Sequence, residues 1–399
     1  MYKVKRVLAK IKLALRNPRD IKYVFRKKIK TSDGIVLVIH ESKRLGASIL
    51  LLHMAKELVK QGENVYIVTN SFGEMNEEYS KIAPIQIALT NIGRRHILKQ
   101  LNKNGFKKLI INTAVCGDFA KIGKQYGYVV ISFIHELDYV IKLLHIEKKV
   151  KKMITYSDET VFSTTIAKKQ VFDMLNIDSG QAIIKPQGVY FEKPEQEIID
   201  RNRKNFLIKY PQLGKKKVIL GVGNTSKRKG YDIFVEVAKR IPDLNFVWVG
   251  KKEHYFNECL DKNNNEWPNN FIYMGEMNRD ELSGIYEIAD VLFMCSRKDT
   301  LPSIIFEALL FGNPVVGARE SGGIVDVVDE SNGLLTEHAD INEFVLAISR
   351  IIDDEKLHRL KSNILRDKKY KNSFQSYILF VRKEFEKLSD MKGVYNEKK

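Results

Sequence analysis

Short apolar runs alternate with helix-like stretches twice along this chain, and this alternation restricts its possible folds more than any other feature. In the first half, residues 34–40 and 65–69 have the composition of buried strands, and residues 47–60 between them have the apolar spacing of a helix. The same strand–helix–strand pattern recurs from residue 217 to residue 250. Units of this kind form parallel sheets that are covered by helices on both faces. The sequence therefore predicts an α/β protein with two doubly wound, Rossmann-like domains.

The chain has 399 residues, a length that suits two domains of ordinary size. A charged stretch at residues 192–204 follows the first group of units, and it predicts a linker together with the first crossover of the second group. The predicted segments are 1–30, a basic amphipathic N-terminal segment; 31–190, the N-terminal domain; 191–375, the C-terminal domain; and 376–399, a last helix with a tail.

Composition excludes several classes of protein. Three widely spaced cysteines, Cys116, Cys259 and Cys295, give neither a disulfide framework nor a CxxC metal pattern. No run of 18 apolar residues predicts a membrane span, and the basic N-terminus has no apolar core or cleavage site of a secretory signal. The sequence therefore predicts a cytoplasmic protein.

Positive charge is concentrated at the N-terminus. The formal net charge is +18, and residues 1–30 contain twelve Lys or Arg and one acid, Asp20. Val4, Val7, Leu8 and Ile11 recur there at helical spacing, with lysines mainly off that stripe. Such a segment can lie peripherally on an anionic membrane surface or can pack as a helix on the first domain. No nucleic-acid partner is predicted, because aromatic and basic residues do not interleave.

The most specific motif lies in the second half, where seven residues separate Asp299 from Glu307. Pro302 and Ser303 mark the start of a short apolar helix, with Ser303 as its candidate cap, and Gly312 ends that helix. A buried strand follows at residues 315–316. The arrangement predicts that free backbone N–H groups and a carboxylate face the mouth of a parallel sheet, where anionic ligands bind.

Two further groups of polar residues follow predicted strands. The loop at residues 223–230 contains three consecutive cations, Lys227, Arg228 and Lys229, between a strand and a helix N-terminus. In the first half, His40-Glu41 and His135-Glu136 each come at the end of a predicted strand.

These strings resemble glycosyltransferase family 4, whose members have the GT-B fold of two Rossmann-like domains that face a cleft. That family's signature is an acid, seven residues and a Glu, followed by Gly-x-Pro-Val. The segment from Asp299 to Glu307, with Gly312-Asn-Pro-Val after it, matches this signature, except that Asp299 stands where the family usually has Glu. Lys229-Gly230 match a second family pattern, in which Asn224 stands where Arg is usual. The sequence around His40 and His135 is similar to that of bacterial capsule and cell-wall glycosyltransferases. In this fold the last helix crosses back to the N-terminal domain.

The resemblance implies a retaining transferase that moves a sugar from a nucleotide-sugar to a hydroxyl of a lipid-linked or cell-surface glycan. It implies catalytic roles for His135, Asp299 and Lys229, with His135 and Asp299 near the donor sugar and Lys229 on the leaving diphosphate. Negative charge builds on that diphosphate as the glycosidic bond breaks. Arg228 supplies the guanidinium that Asn224 lacks, and Glu307 accepts hydrogen bonds from the ribose.

The remaining roles follow from the same resemblance. The expected donor-binding residues are Gly46, Gly223, Asn224, Arg228, Lys229, Ser303, Ile304, Ile305 and Glu307. The expected acceptor-side residues are His40, Glu41 and Glu136. No metal and no other cofactor is expected, because the chain has no Asp-x-Asp motif and because cations and helix N-termini neutralise the diphosphate.

Two other interpretations remain open. The departures at Asn224 and Asp299 also fit a GT-B subunit that has lost catalysis and stabilises a partner transferase. A teichoic-acid-type transferase or a sugar-nucleotide epimerase has the same fold, although the retained spacing from Asp299 to Glu307 argues against both.

Overall fold

The computed structural model of the protein describes residues 22–24, 29, 31–178, 182–367 and 373–397, with the side chains of 392–397 excepted. The chain divides into two compact units. The first unit extends to Tyr190 and continues from Phe374, and the second unit is Phe191–Ser373. The last helix therefore belongs to the first unit. The predicted boundaries were at residues 190 and 375.

The first unit contains a seven-stranded parallel sheet with strand order β3-β2-β1-β4-β5-β6-β7. Strands β1 and β5 are buried at every position and β4 at four of its six positions, as expected for strands covered on both faces. The strands are β1 Gly34–Ile39, β2 Val65–Thr69, β3 Ile85–Ile87, β4 Phe106–Ile111, β5 Val129–Ile134, β6 Glu159–Phe162 and β7 Ile183–Ile184.

Helices cover both faces of this sheet and form two apolar cores. The helices are α1 Gly46–Lys60, α2 Met75–Ile82, α3 Asn91–Lys103, α4 Asp118–Gln125, α5 Asp138–Leu143, α6 Glu147–Tyr156, α7 Thr165–Leu175 and the last helix of the chain, Ser373–Glu397. A short 3₁₀ turn, Ala114–Cys116, follows β4. Tyr377 and Phe385 of the last helix are buried in one of these cores.

The second unit contains a six-stranded parallel sheet with strand order β10-β9-β8-β11-β12-β13. The strands are β8 Val218–Val222, β9 Asn245–Val249, β10 Phe271–Gly275, β11 Val291–Met294, β12 Val315–Ala318 and β13 Gly333–Thr336. The helices are α8 Gln196–Lys209, α9 Tyr231–Arg240, α10 His254–Lys262, α11 Arg279–Ile288, α12 Ser303–Leu310, α13 Ile341–Ile351 and α14 Asp354–Arg366; the last helix is α15. Short 3₁₀ turns lie at Pro211–Gly214, Arg319–Ser321 and Gly323–Asp326.

The predicted fold class, two doubly wound α/β domains, is confirmed by these two parallel sheets. The charged stretch at 192–204 is mostly the first part of α8, which packs along α11 of the second unit rather than forming an extended linker. Strand β13 was missed, because Gly333-Leu-Leu-Thr336 is too short to show a period.

The predicted segment 1–30 lies outside the described residues except for 22–24 and 29. Within it, Tyr23 is buried in the first unit, and its hydroxyl donates to Ser80 Oγ at 2.9 Å. The Tyr23 carbonyl accepts a hydrogen bond from the N–H of Ile87 in β3. Among the described residues, no helix is long and apolar enough to cross a membrane.

Each sheet has a point at which the strand order reverses direction. In the first sheet this point lies between β1 and β4, and in the second it lies between β8 and β11. The loops that leave the two strands there run to opposite sides and open a crevice at the carboxyl edge, the usual ligand position in such sheets. The fold therefore marks one candidate ligand crevice in each unit.

Candidate active site

The crevice of the second unit is built from the loops that follow β8 and β11. Gly230 has φ +74°, and a Cβ at this position would lie 2.0 Å from the Cys295 carbonyl oxygen. Only glycine fits there, so the loop after β8 can pack against the end of β11. The Gly223 carbonyl accepts a hydrogen bond from the Trp248 indole at 2.8 Å, which holds the start of the same loop.

Three predicted site residues meet in this crevice. Lys229 Nζ lies 2.6 Å from Asp299 Oδ2, and Arg228 Nη1 lies 3.1 Å from the same oxygen. The side chains of Lys229 and Asp299 are each only 14% exposed. Burial opposes the charged carboxylate, but Lys229 and Arg228 outweigh that effect and hold the pKa of Asp299 below its ordinary value. The site thus contains one carboxylate and two cations, with a net positive charge.

A neighbouring turn fixes the backbone of Asp299. Its N–H donates to the Ser321 carbonyl at 2.7 Å, and Asp299 forms a parallel bridge with Gly322. Gly322 has φ +141°, and a Cβ there would lie 1.8 Å from the Asp299 carbonyl oxygen. The approach of these two segments therefore depends on glycine.

The other residues of the loop after β8 point elsewhere. The Asn224 amide donates to Glu253 Oε1 at 2.7 Å, so its side chain is engaged outside the ion cluster. The Lys227 carbonyl accepts from Arg297, whose guanidinium also binds both carboxylate oxygens of Asp232 at 2.7 Å. This bidentate pair ties the loop to the first turn of α9.

Helix α12 presents its N-terminus after the Asp299 loop. The N-cap is Pro302, and no side chain caps the helix, so the prediction of Ser303 as the cap is wrong. Ser303 is instead the first helical residue, because Pro302 before it has the extended backbone of an N-cap position. The N–H groups of Ser303 and Ile304 have no intrahelical acceptor in that position, whereas Ile305 donates to the Pro302 carbonyl at 3.3 Å.

Glu307 lies one turn further along α12 and is buried. The Tyr286 hydroxyl donates to Glu307 Oε2 at 3.2 Å, and the Arg279 guanidinium lies 4.0 Å from Oε1. Burial and the adjacent carboxylate raise the pKa of Tyr286 well above its ordinary value, so its hydroxyl stays protonated and donates. One carboxylate oxygen is thus oriented by Tyr286.

Predicted acceptor-side residues also gather, in the crevice of the first unit. His40 directly follows β1, and its imidazole lies 2.9 Å from Thr113 Oγ1 and 3.2 Å from Glu41 Oε1. The hydrogen bond from His40 lowers the pKa of Glu41. A Cβ on Gly46, at the first position of α1, would meet nothing within 4 Å, so open space adjoins that position.

His135 and Glu136 follow β5 at the same edge. The Glu136 carboxylate accepts backbone N–H bonds from His135 and Ala114, both at 3.0 Å, while burial raises its pKa. Burial lowers the pKa of His135 to about 4, so its imidazole is neutral at pH 7. The His135 Nε2 lies 3.4 Å from Asn112 Oδ1, and Asn112 Nδ2 donates to the Ala47 carbonyl at 2.9 Å.

Sequence reasoning missed several residues that hold the predicted ones in place. Asn112 and Thr113 directly follow β4, and that position after a central strand was a usable signal. Tyr286 and Arg279 lie on an amphipathic helix and had no such signal, because the helical period does not show which polar atoms face Glu307. Within the described ranges, no group of His, Cys, Asp and Glu side chains could hold a metal.

Comparison with known proteins agrees with this architecture. Residues 202–367 match the family model of the Glycosyl transferases group 1. The chain is 26% identical over 173 residues to sulfoquinovosyl transferase SQD2 of Arabidopsis thaliana, covering 42% of this chain and 33% of that protein. It is 25% identical over 211 residues to processive diacylglycerol alpha-glucosyltransferase of Acholeplasma laidlawii, covering 51% and 60%. The matched segments thus span less than two thirds of both relatives.

The structure of Anabaena Alr3699/HepE in complex with UDP and glucose has a TM-score of 0.73 with this protein at 16% identity. That match covers 89% of this chain and 100% of the other. A likeness at this identity shows the fold, which is GT-B. The family match covers most of the second unit, and the structural likeness shows the fold alone.

Proposed function

We propose that this protein is a retaining glycosyltransferase that moves a sugar from a nucleotide-sugar to a hydroxyl of a lipid-linked or cell-surface glycan. The observation that carries the proposal is the convergence of Lys229 and Arg228 on Asp299, in the ligand crevice of the second sheet. Two cations that share one carboxylate leave net positive charge for an anionic group. A nucleotide-sugar presents such a group, its diphosphate.

The same cluster supports a role in bond cleavage. The diphosphate carries more negative charge than one carboxylate, so it competes with Asp299 for Lys229 and Arg228. As the bond from the anomeric carbon to the diphosphate breaks, the electron pair moves to the diphosphate oxygen, and the cations stabilise that charge. Asp299, released from the cations, faces the positive charge that develops on the sugar.

In the proposed retaining reaction, the acceptor hydroxyl attacks the anomeric carbon from the face that the diphosphate leaves. The departing diphosphate oxygen takes the proton of that hydroxyl, so the reaction needs no separate base and no metal. The N–H groups of Ser303 and Ile304 add two donors for the diphosphate or the sugar.

Glu307 suits the ribose in this proposal. Tyr286 occupies Oε2, and Arg279 at 4.0 Å from Oε1 is outside hydrogen-bond distance, so acceptor capacity remains for a cis-diol. The structural neighbour that binds UDP and glucose supports uridine nucleotides as the first donors to test. The same proposal includes membership of family 4 and a role in capsule or cell-wall synthesis. It also includes a hexosyl or N-acetylhexosaminyl donor and a peripheral position at the inner membrane.

One observation favours a second candidate, a non-catalytic GT-B subunit that stabilises a partner transferase. Asn224 stands where the resemblance implies an arginine on the diphosphate, and its amide is bound to Glu253. A teichoic-acid-type transferase gains no comparable support from the site.

The decisive experiment measures release of nucleoside diphosphate from UDP-, GDP-, ADP- and TDP-sugars, without added metal. We expect release from one donor, and we expect Glu307→Gln to reduce it on the order of 10²-fold, because the ribose loses an anionic acceptor. Glu330→Gln, an exposed glutamate of the same unit, is the matched control. Binding of a nucleoside diphosphate without turnover of any donor, with acceptor glycans present, contradicts the catalytic proposal and supports the partner subunit.

A further inference from the structure

The imidazole of His135 has two ring nitrogens with different surroundings. His135 Nε2 lies 3.4 Å from Asn112 Oδ1, whereas no group of the described residues hydrogen-bonds to His135 Nδ1. His135 follows β5 at the carboxyl edge of the first sheet and is partly exposed there. Nδ1 is therefore the nitrogen that is left for a ligand, and the position of the ring proton decides what Nδ1 can bind.

The hydrogen bonds of the Asn112 amide determine where that proton is. Asn112 Nδ2 donates to the Ala47 carbonyl at 2.9 Å, and a carbonyl oxygen can only accept, so the amide nitrogen faces Ala47. The amide oxygen then faces His135, and since this oxygen also only accepts, His135 Nε2 must carry the proton. Asn112 itself is buried, and its backbone N–H donates to the Val38 carbonyl at 3.1 Å, which holds it at the end of β4 beside β1.

The surroundings of the His135 ring keep it neutral. The Phe133 ring lies parallel to the imidazole, at an angle of 5° and with 6.1 Å between the ring centroids. Glu136, the next residue in the chain, accepts the backbone N–H groups of His135 and Ala114, both at 3.0 Å. Burial lowers the pKa of His135 to about 4. A neutral ring with its proton on Nε2 has a lone pair on Nδ1, which accepts a hydrogen bond and cannot donate one.

We propose that Asn112 is a positioning residue, which fixes the proton of His135 on Nε2 and thereby presents Nδ1 as an acceptor for a hydroxyl of the substrate sugar. A hydroxyl has a proton to donate to this nitrogen. A phosphate or carboxylate has none when ionised, and its charge would face the lone pair, so His135 selects a neutral group. The choice of a sugar as the ligand rests on the proposed function, whereas the position of the proton does not.

Nitrogen NMR of the full-length protein with isotope-labelled histidine tests the position of the proton. The chain has eight histidines, and His135→Gln identifies the His135 signals. For the wild type at pH 7 we expect a neutral ring that is protonated at Nε2. Asn112→Asp places a carboxylate against Nε2, so we expect it to raise the pKa of His135 from about 4 to roughly 5–7. Asn91→Asp adds the same charge at an exposed position of the same edge, and it should leave this pKa near 4.

Two results of this measurement overturn the proposal. A proton on Nδ1, or a charged ring at pH 7, in the wild type overturns it even if Asn112→Asp does not fold. An unchanged pKa of His135 in a folded Asn112→Asp variant also overturns it, because Asn112 would then not govern the protonation of the ring. A purely structural role of Asn112 would lower the stability of the variant without moving the pKa of His135.

The same NMR signals test the recognition of a hydroxyl, with UDP-glucose, methyl glucoside, UDP and inorganic phosphate added in turn to the wild type. We expect a sugar to shift the Nδ1 resonance toward that of a protonated nitrogen, and we expect UDP and phosphate to leave it in place. A response to UDP-glucose alone assigns the hydroxyl to the donor sugar, and a response to methyl glucoside alone assigns it to an acceptor sugar.

A shift of Nδ1 with phosphate, or no shift with either sugar, overturns the recognition of a hydroxyl. The proposed function is judged separately, by release of nucleoside diphosphate. A response of Nδ1 to a sugar without release from any donor would contradict the proposed function and leave the role of Asn112 supported.

Discussion

At the scale of single residues, Asp299 keeps its charge in a nearly buried position because two cations face one of its oxygens. The same arrangement makes Asp299 a competitor of any anionic ligand for Lys229 and Arg228. The ion cluster of Asp299, Lys229 and Arg228 is thus a stabilising contact in the free protein, and its two cations can bind an anionic ligand. Its double role leads to a prediction in which binding and turnover change in opposite directions.

Asp299→Asn removes the competing charge but keeps the shape of the side chain. We expect the nucleoside diphosphate to bind about tenfold more tightly, equivalent to ~1.4 kcal/mol. Turnover of the donor should fall on the order of 10²-fold, because the developing charge on the sugar loses its carboxylate. Calorimetry and product release measure the two effects, and Asp243→Asn, an exposed aspartate of the same unit, is the control. Weaker binding together with unchanged turnover would show that Asp299 does not compete for the cations.

His135 gives a prediction about pH, because its pKa is lowered to about 4 by burial from an ordinary value of 6.5. Between these two values the unfolded chain binds the proton more strongly than the folded protein, so folding stability falls as pH falls from 6.5 to 4. We expect His135→Gln to reduce this loss, as measured by urea unfolding midpoints at several pH values. His254→Gln, an exposed histidine, should not change the slope. A slope that is identical in the wild type and His135→Gln would contradict the lowered pKa of His135 in the folded protein.

At the scale of elements, the turn at Gly322 places the Asp299 loop, since its backbone approaches the Asp299 carbonyl too closely for a Cβ. We expect Gly322→Ala to destabilise the protein by roughly 1–3 kcal/mol through strain and to reduce donor turnover by moving Asp299. Gly275→Ala is the control, because Gly275 also has a positive φ, +79°, but has nothing within 4 Å of an added Cβ. Thermal unfolding and product release measure both variants. Equal effects on turnover would show that the turn does not position Asp299.

Much of this element-level arrangement could be predicted from the sequence. Strand β8, its basic loop and α9 follow from an apolar run, a glycine-rich turn and a helical period. Since Lys229 and Asp299 each follow a central strand, their presence in one crevice is a consequence of parallel topology. The prediction of Ser303 as the cap of α12 was wrong. Pro302 and Ser303 are both suited to a helix start, and their order alone does not settle which residue is extended.

The side-chain geometry of the site could not be predicted in the same way. That Lys229 and Arg228 both contact one oxygen of Asp299, and that Tyr286 orients Glu307, depends on rotamers and on packing between elements. Sequence periodicity specifies which face of an element is apolar but does not specify which polar atoms meet. The hydrogen bond from the Asn224 amide to Glu253 is another result of such packing.

At the scale of the whole molecule, each unit repeats one architecture with its own crevice, and the two crevices have different chemistry. The crevice of the first unit holds His40, Glu41, His135 and Glu136, and that of the second holds cations around Asp299. Two domains of one fold with different edge residues are suited to two different substrates. We propose that the second unit binds the diphosphate of a nucleotide through Lys229.

Calorimetric titration of the full-length protein with UDP, GDP, ADP and TDP tests this assignment, with the wild type compared to Lys229→Met and Lys227→Met. Lys227 is an exposed cation of the same loop, so the comparison keeps the loss of overall charge constant. We predict that one nucleoside diphosphate binds the wild type, that Lys229→Met weakens its binding on the order of 10–100-fold, and that Lys227→Met changes it less than about threefold. Equal losses in both variants, or no binding of any nucleoside diphosphate by the wild type, would contradict the assignment of this crevice as the donor site.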